Sequence, residues 1–142
     1  MTVTSTKATD VQVGGDHYKG VKYQHVEFAR DNRLGHMEGH ITKYVTRYKK
    51  KNGIQDLEKA LHFTQLLYQF LTSGDYTVCM RCHHKMVGFT EFATANALGV
   101  IEGRIIAAVV THDGVSNRLH DVMNDIKTLI EKLREEKNLA GA

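Results

Sequence analysis

The sequence lacks the features that characterise secreted, membrane-spanning and nucleic-acid-coating proteins. Only two of its 142 residues are cysteines, too few for a disulfide scaffold. No run of apolar residues approaches the roughly 18 that a membrane span requires, and the first residues have no apolar signal core. The formal net charge is only +3, which does not favour nucleic acid as a partner. We therefore expect a cytoplasmic protein with neither a membrane nor a nucleic-acid partner.

The apolar residues follow helical periods, which predicts an all-α fold. Between residues 36 and 50 they recur every three or four positions, at Met37, Ile41, Tyr44, Val45 and Tyr48. The same period returns over about 54–71, after a stop at Asn52-Gly53. A connection this short predicts that the two segments form a helical hairpin, the core of the fold. A briefer helix is expected over residues 25–33.

A second helical hairpin is predicted in the C-terminal part. Residues 90–111 are expected to form one helix, although the β-branched residues over 104–110 leave a strand open. The last helix carries a heptad-like apolar seam, made of Leu119, Val122, Met123, Ile126, Leu129, Ile130 and Leu133. Such a seam suits packing against a second copy as readily as against the chain's own core, so we expect a homo-oligomer.

The predicted organisation is one compact domain in four parts, since 42% apolar residues are enough for one core. Residues 1–13 form a flexible arm, residues 14–74 carry the motifs, residues 75–89 connect, and residues 90–142 supply the C-terminal helices. No internal repeat is evident in the sequence.

The first hairpin carries a stripe of basic residues beside its apolar face. His36, His40, Lys43 and Arg47 follow one another at intervals of four, three and four residues. Cations held on a rigid helix suit a phosphate-bearing ligand, although a solvated basic face is the alternative.

The start of the next helix adds to this stripe. The antiparallel turn should bring Asp56 and Lys59 beside Lys43 and Arg47. The carboxylate of Asp56 would there orient the basic groups or take a proton.

A second candidate ligand contact lies upstream, in the segment from Gly14 to Lys19. It combines flexible glycines with a titratable imidazole at His17, a ring at Tyr18 and a cation at Lys19. An ordinary polar turn is the alternative.

Three sequence blocks together resemble a family of small phage proteins that includes nucleotide kinases. They are Gly-Gly-Asp-His-Tyr-Lys at 14–19, the segment from Gly39 to Lys49, and Asp-Leu-Glu-Lys-Ala at 56–60. The characterised type of member acts on deoxynucleoside monophosphates. The resemblance spans residues 14–71. The family usually has Gly-Asn where this chain has Gly39-His40.

The resemblance implies an oligomeric nucleotide-binding protein of an infected bacterial host. The matching positions are His17, Tyr18, Lys43, Arg47, Asp56 and Lys59. The further ligand-binding candidates are His40 of the stripe, Tyr44 of the same helix and Lys19 of the upstream block. Lys43, Arg47 and Lys59 would contact phosphates, and His17 or Asp56 would act as the catalytic base. ATP or another nucleotide would be the donor, with magnesium as a possible companion.

The sequence leaves the activity open between classes. It has no Gly-x-x-x-x-Gly-Lys-Ser/Thr loop, so a nucleoside monophosphate kinase would need another phosphate cradle. A binder that sequesters a host signalling nucleotide or senses nucleotide pools would use the same stripe. In a purely structural protein, the stripe would be only a solvated basic face.

A cysteine and histidine cluster occupies the connector. Cys79, Cys82, His83 and His84 form half of a zinc-binding set, but no second pair follows nearby. Buried or redox-inert thiols are therefore favoured over a zinc site.

Overall fold

The computed structural model describes residues 7–15, 20–74, 85–114 and 116–141. Within these ranges the chain has six α-helices and no β-strand, which confirms the all-α prediction. The helices are α1 (His25–Asp31), α2 (His36–Arg47), α3 (Ile54–Ser73), α4 (Phe89–Ala95), α5 (Val100–Val110) and α6 (Ser116–Ala140). Among the described residues, no helix combines the length and apolar character needed to cross a membrane.

The predicted helical hairpin is the α2–α3 pair. A 3₁₀ turn over Tyr48–Lys50 extends α2, and Gly53 then adopts a positive φ of 56° immediately before α3. This value suits glycine, which has no Cβ to clash in the left-handed region. The predicted bounds of 36–50 and 54–71 therefore match the structure to within two residues.

The prediction of one helix over residues 90–111 was wrong. The structure has two helices, α4 and α5, separated by residues 96–99. Ala97 has a φ of 51°, which ends α4, and Gly99 is extended before α5 begins. The β-branched segment 104–110 lies in α5, so it is helical and the strand alternative does not hold.

The core is a bundle of four helices, α2, α3, α5 and α6. The apolar seam of α6 packs against α3 and α5 of the same chain, and most of its side chains are buried. The buried members are Leu119, Val122, Ile126, Leu129 and Ile130. Because the protein's own core covers these residues, this seam is not a free face for a second copy.

The two halves of the chain are copies of one unit, contrary to the expectation that the sequence holds no repeat. Residues 27–45 and 91–109 are identical at ten of nineteen aligned positions, at a constant offset of 64 residues. The shared residues are Glu, Phe, Ala, Asn, Leu, Gly, Glu, Gly, Ile and Val, in that order. We call residues 20–74 the first repeat and residues 85–141 the second repeat.

Backbone geometry repeats along with the sequence. Arg33 and Ala97, which are 64 residues apart, have φ values of 50° and 51°. The glycines that precede α2 and α5 have φ, ψ values of −72°, 178° and −74°, 175°. Positive φ at two non-glycine residues is uncommon, so its recurrence at equivalent positions supports a true structural duplication.

Contacts between the repeats are reciprocal, as a two-fold axis would produce. The amide of Asn32 donates to the carbonyl of Val87 at 2.9 Å, and that of Asn96 donates to the carbonyl of Tyr23 at 2.8 Å. Tyr23 and Val87 are themselves 64 residues apart. Between them, the equivalent rings of Phe28 and Phe92 stack with centroids 4.2 Å apart.

Two buried carboxylates link the repeats in the same reciprocal way. Glu38 contacts Nε2 of His112 at 3.1 Å, and Glu102 accepts a hydrogen bond of 2.5 Å from the hydroxyl of Tyr48. Equivalent glutamates therefore meet equivalent positions of the other repeat, although the partner is a tyrosine once and a histidine once. A buried carboxylate needs such a partner, because desolvation without one is costly.

Candidate functional site

The basic stripe of α2 and the first turns of α3 meet on one side of the hairpin, as the sequence predicts. Lys43, Tyr44 and Arg47 come from α2, and Asp56 and Lys59 come from α3. We call these five residues the cation site. The site exists because the hairpin is antiparallel and tightly connected, which places the end of α2 beside the start of α3.

Three cations surround the ring of Tyr44. Nζ of Lys43 lies 4.8 Å from the ring centroid, Cζ of Arg47 lies 4.9 Å from it, and Nζ of Lys59 lies 5.6 Å from it. Such distances are typical of cation–π contacts, which offset part of the repulsion between like charges. The ring is largely buried while the three cations are half-buried, so their charged ends lie at the boundary with solvent.

Asp56 neutralises only one of these cations. Its carboxylate accepts hydrogen bonds from Nε and Nη2 of Arg47 at 3.2 and 3.3 Å, and from the backbone and side chain of Asn52 at 3.4 Å. Asp56 is fully buried and the Arg47 side chain is 13% exposed. The bidentate pair therefore fixes the guanidinium, and Asp56 is better suited to position Arg47 than to accept a proton.

An aromatic stack continues the site toward the start of α2. The rings of His40 and Phe63 are parallel, with centroids 4.5 Å apart, and His36 meets His40 edge to face at 4.5 Å. In the described part of the chain, the buried Nδ1 of His40 has no hydrogen-bond partner. A buried nitrogen without a hydrogen-bond partner is rare, so His40 is an unusual polar group within an apolar stack.

Phe63 is a site residue that the sequence reasoning missed. It follows Lys59 by four residues and so lies on the same face of α3, a spacing that could have revealed it.

A cavity of about 390 Å³ adjoins the cation site, between α1 and α2. Its walls include Leu34, His36, His40, Lys43 and the buried ring of His25. Most of the walls are apolar, and Lys43 stands where the cavity meets the cation site. A cavity of this size accommodates a small aromatic group of a bound molecule.

Burial and neighbouring cations depress the pKa values of the basic groups here. Burial, followed by the charge of Lys43, lowers the pKa of His25 to about 4. Burial and the neighbouring Lys43 also lower the pKa of His40, and burial and Arg47 lower that of Lys43. The direction is the one expected where positive charges crowd together, so binding of an anion would be favoured.

His25 is held as a hydrogen-bond donor. The hydroxyl of Thr42 donates to the carbonyl of Glu38 at 2.8 Å, and His25 Nε2 lies 2.7 Å from Oγ1 of Thr42, which can therefore only accept from it. A neutral imidazole that carries its proton on Nε2 satisfies both contacts.

Several predicted site residues lie outside the described part of the chain. These are His17, Tyr18 and Lys19 of the upstream block, and Cys79, Cys82, His83 and His84 of the connector. Among the described residues, no group of three or more histidine, cysteine, aspartate or glutamate side chains could hold a metal ion.

Comparison with protein families adds one finding. Residues 13–65 match the model of a family described as a protein of unknown function, DUF3310. The DUF3310 match spans α1, α2 and the first twelve residues of α3, and it contains the whole cation site. It ends before the second repeat begins. No curated protein and no solved structure matches the chain.

Proposed function

We propose that this protein binds a nucleotide, with its phosphates on the cation site and its base toward the aromatic stack and the adjoining cavity. The observation that carries the proposal is the half-buried group of Lys43, Arg47 and Lys59 around one ring, of which only Arg47 is paired with a carboxylate of the site. Phosphate would supply the missing negative charge.

The cavity beside the site supports an aromatic ligand component. Its apolar walls would shield one edge of a base, and the ring of His40, which lines the cavity and stacks on Phe63, would contact the base. A free inorganic anion would use the cations and leave these other features without a role. The combination therefore favours a nucleotide over phosphate alone.

The chemistry that we propose is phosphoryl transfer from a nucleoside triphosphate to a nucleoside monophosphate, in line with the phage-kinase resemblance. An oxygen of the acceptor phosphate attacks the γ-phosphorus, and the bond from that phosphorus to the bridging oxygen breaks, which yields two nucleoside diphosphates. The three cations would stabilise the charge spread over the transferring group.

Such a reaction makes no demand on Asp56 as a base. The second pKa of a phosphate monoester is about 6, so the attacking oxygen is already deprotonated near neutral pH. The ion pair between Asp56 and Arg47 is thus compatible with catalysis. Among the described residues, no group of side chains at the site suits a protein-held metal, and in this proposal magnesium would arrive on the donor nucleotide.

Binding without chemistry is the second candidate, in which the protein sequesters a signalling nucleotide or senses nucleotide pools. One observation favours it, namely that both carboxylate oxygens of Asp56 are engaged by Arg47 and Asn52. The cation site then has no carboxylate left to bind magnesium or to manage protons.

The test is an assay of diphosphate formation from each deoxynucleoside monophosphate with ATP, with and without magnesium. The informative variant is Lys43→Ala with Lys59→Ala, because Arg47→Ala would strand the buried Asp56 and compromise folding. Lys127→Ala with Lys137→Ala is the matched control, since it removes two exposed lysines of α6 and the same charge.

We expect diphosphate from the wild type and the control, and a loss of about 100-fold or more in the site variant, since each charge-assisted contact contributes roughly 1.5–3 kcal/mol. Ligand-induced stabilisation of the wild type without product would select the binding candidate. Equal behaviour of all three proteins would refute the nucleotide site.

A further inference from the structure

The second repeat contains a groove at the position that corresponds to the cation site. It lies between α5 and α6, has a volume of about 570 Å³, and is lined by Arg104, Ala107, Ala108, Thr111, Arg118 and Asp121 among others. Residues of α5 correspond to those of α2 at the 64-residue offset. Residues of α6 correspond to those of α3 at an offset of 62, because the connecting loop of the second repeat is two residues shorter.

The buried residues of the two long helices establish the second offset. Leu57, Ala60, Thr64 and Leu67 are buried in α3, and Leu119, Val122, Ile126 and Leu129 are buried in α6. Contacts in the groove agree with it. His40 stacks on Phe63 in the first repeat, and the equivalent Arg104 pairs with the equivalent Asp125 at 2.8 Å in the second.

The charges of the cation site are absent from its counterpart. Ala107 and Ala108 stand in place of Lys43 and Tyr44, Thr111 in place of Arg47, and Asp121 in place of Lys59. The remaining equivalence reverses sign, since Arg118 stands in place of Asp56. The second groove therefore has neither the central ring nor any of the three cations, and Asp121 puts a carboxylate where the first repeat has Lys59.

The cations that the groove does have are engaged. Both Nε and Nη2 of Arg104 donate to Asp125, at 2.8 and 2.9 Å, and Arg118 donates to the carbonyl of Thr111. A phosphate in this groove would have to compete with Asp125 and would face the charge of Asp121. Like-charge juxtaposition of that kind disfavours an anion.

We propose that this chain is a fused pair of units in which only the first repeat keeps a working nucleotide site, so that each chain has one such site and binds one ATP and not two. The second repeat then completes the helical bundle, while its own groove binds no nucleotide. This inference rests on the proposed function and adds its stoichiometry and its location. The DUF3310 match agrees with it, because that match ends within the first repeat.

The test is a titration of the full-length protein with ATP by calorimetry, which counts bound ligands per chain. Two variants exchange the residues of the repeats. Lys43→Ala with Lys59→Asp gives the first site the residues of the second repeat at the two positions of its unpaired lysines. A restored variant carries Ala107→Lys, Ala108→Tyr, Thr111→Arg, Arg118→Asp and Asp121→Lys, which gives the second groove the five residues of the cation site.

We expect one ATP per wild-type chain, at least a 100-fold weaker association for Lys43→Ala with Lys59→Asp, and two ATP per chain of the restored variant. Because each residue introduced already exists at the equivalent place in the fold, both variants should melt near the wild-type temperature. If the variant with five substitutions fails to fold, Lys43→Ala with Lys59→Asp still tests whether the first repeat holds the bound ATP.

Two ATP molecules per wild-type chain would overturn the inference and leave the proposed function standing. A single ATP that survives Lys43→Ala with Lys59→Asp but is lost in Arg104→Ala with Arg118→Ala would also overturn it, since the ligand would then lie in the second groove. No binding of ATP to any folded variant would refute the proposed function, and with it this inference. A folded restored variant that still binds one ATP would refute the equivalence of the two grooves.

Discussion

Replacing His25 with phenylalanine and Thr42 with isoleucine should make the protein more resistant to mild acid. These are the residues that the second repeat has at the equivalent positions, Phe89 and Ile106. The buried imidazole of His25 is held neutral, with its pKa lowered to about 4 chiefly by burial. In the unfolded chain its pKa is 6.5, so the unfolded state takes up a proton that the folded state excludes.

The sign and size of the effect follow from these two values. The neutral His25 contributes its full stability above about pH 6.5, and that contribution declines as the pH falls toward 4. At about pH 5 the unfolded state has gained roughly 2 kcal/mol from this one group, since each pKa unit corresponds to about 1.36 kcal/mol. An apolar pair at the same place removes this penalty.

Urea denaturation at about pH 7.5 and about pH 5 provides the measurement. We expect the wild type to lose about 2 kcal/mol more than the double variant between the two conditions. His62→Phe is the control, because it removes an exposed histidine of α3 without disturbing the contact between His25 and Thr42. Equal losses in the wild type and the double variant would refute the view that His25 is excluded from protonation by burial.

Three further predictions concern stability and can be measured by urea denaturation. Asp56→Asn should lower the free energy of unfolding by about 3–5 kcal/mol, because it leaves Arg47 without its buried counter-charge. Glu58→Gln on the exposed face of α3 is the control and should change that free energy by less than about 0.5 kcal/mol. Equal effects of the two substitutions would contradict the buried pair. Gly99→Ala should destabilise the protein, because the new Cβ would collide with the Glu102 carboxylate, which is hydrogen-bonded to Tyr48. Gly39→Ala, in the equivalent helix α2 but with open space around the new Cβ, should stabilise the protein by about 0.5–1 kcal/mol. Asn32→Ala and Asn96→Ala should each lower the free energy of unfolding by about 1–3 kcal/mol. The loss should be larger for Asn32, because its side chain also accepts a hydrogen bond from the backbone N–H of Val87. A neutral effect at either position would count against the reciprocal contacts between the repeats.

The sequence by itself determined the helices whose signals are local. The apolar period of α2 and α3, with the stop at Asn52-Gly53, was sufficient to predict the hairpin, and the hairpin in turn placed Asp56 and Lys59 beside Lys43 and Arg47. Periodicity and a short turn depend only on neighbouring residues, so no knowledge of the rest of the fold was needed. The sequence did not predict the break between α4 and α5, because alanine has no intrinsic preference for the positive φ that Ala97 adopts.

Tertiary structure alone decided which residues of the site interact and how the halves relate. Three features of the site depend on how separate helices pack, which the apolar period of one helix does not specify. They are the burial of Asp56, the stack of His40 on Phe63 and the burial of His25. The duplication is present in the sequence, as ten identities over nineteen positions, but the apolar period alone does not reveal it. Most of its shared residues occupy buried positions and turns that packing constrains, while the residues of the two grooves differ in charge and size. Packing makes the same demands on the cores of both repeats, so the residues that they share are mainly those of the core and the turns.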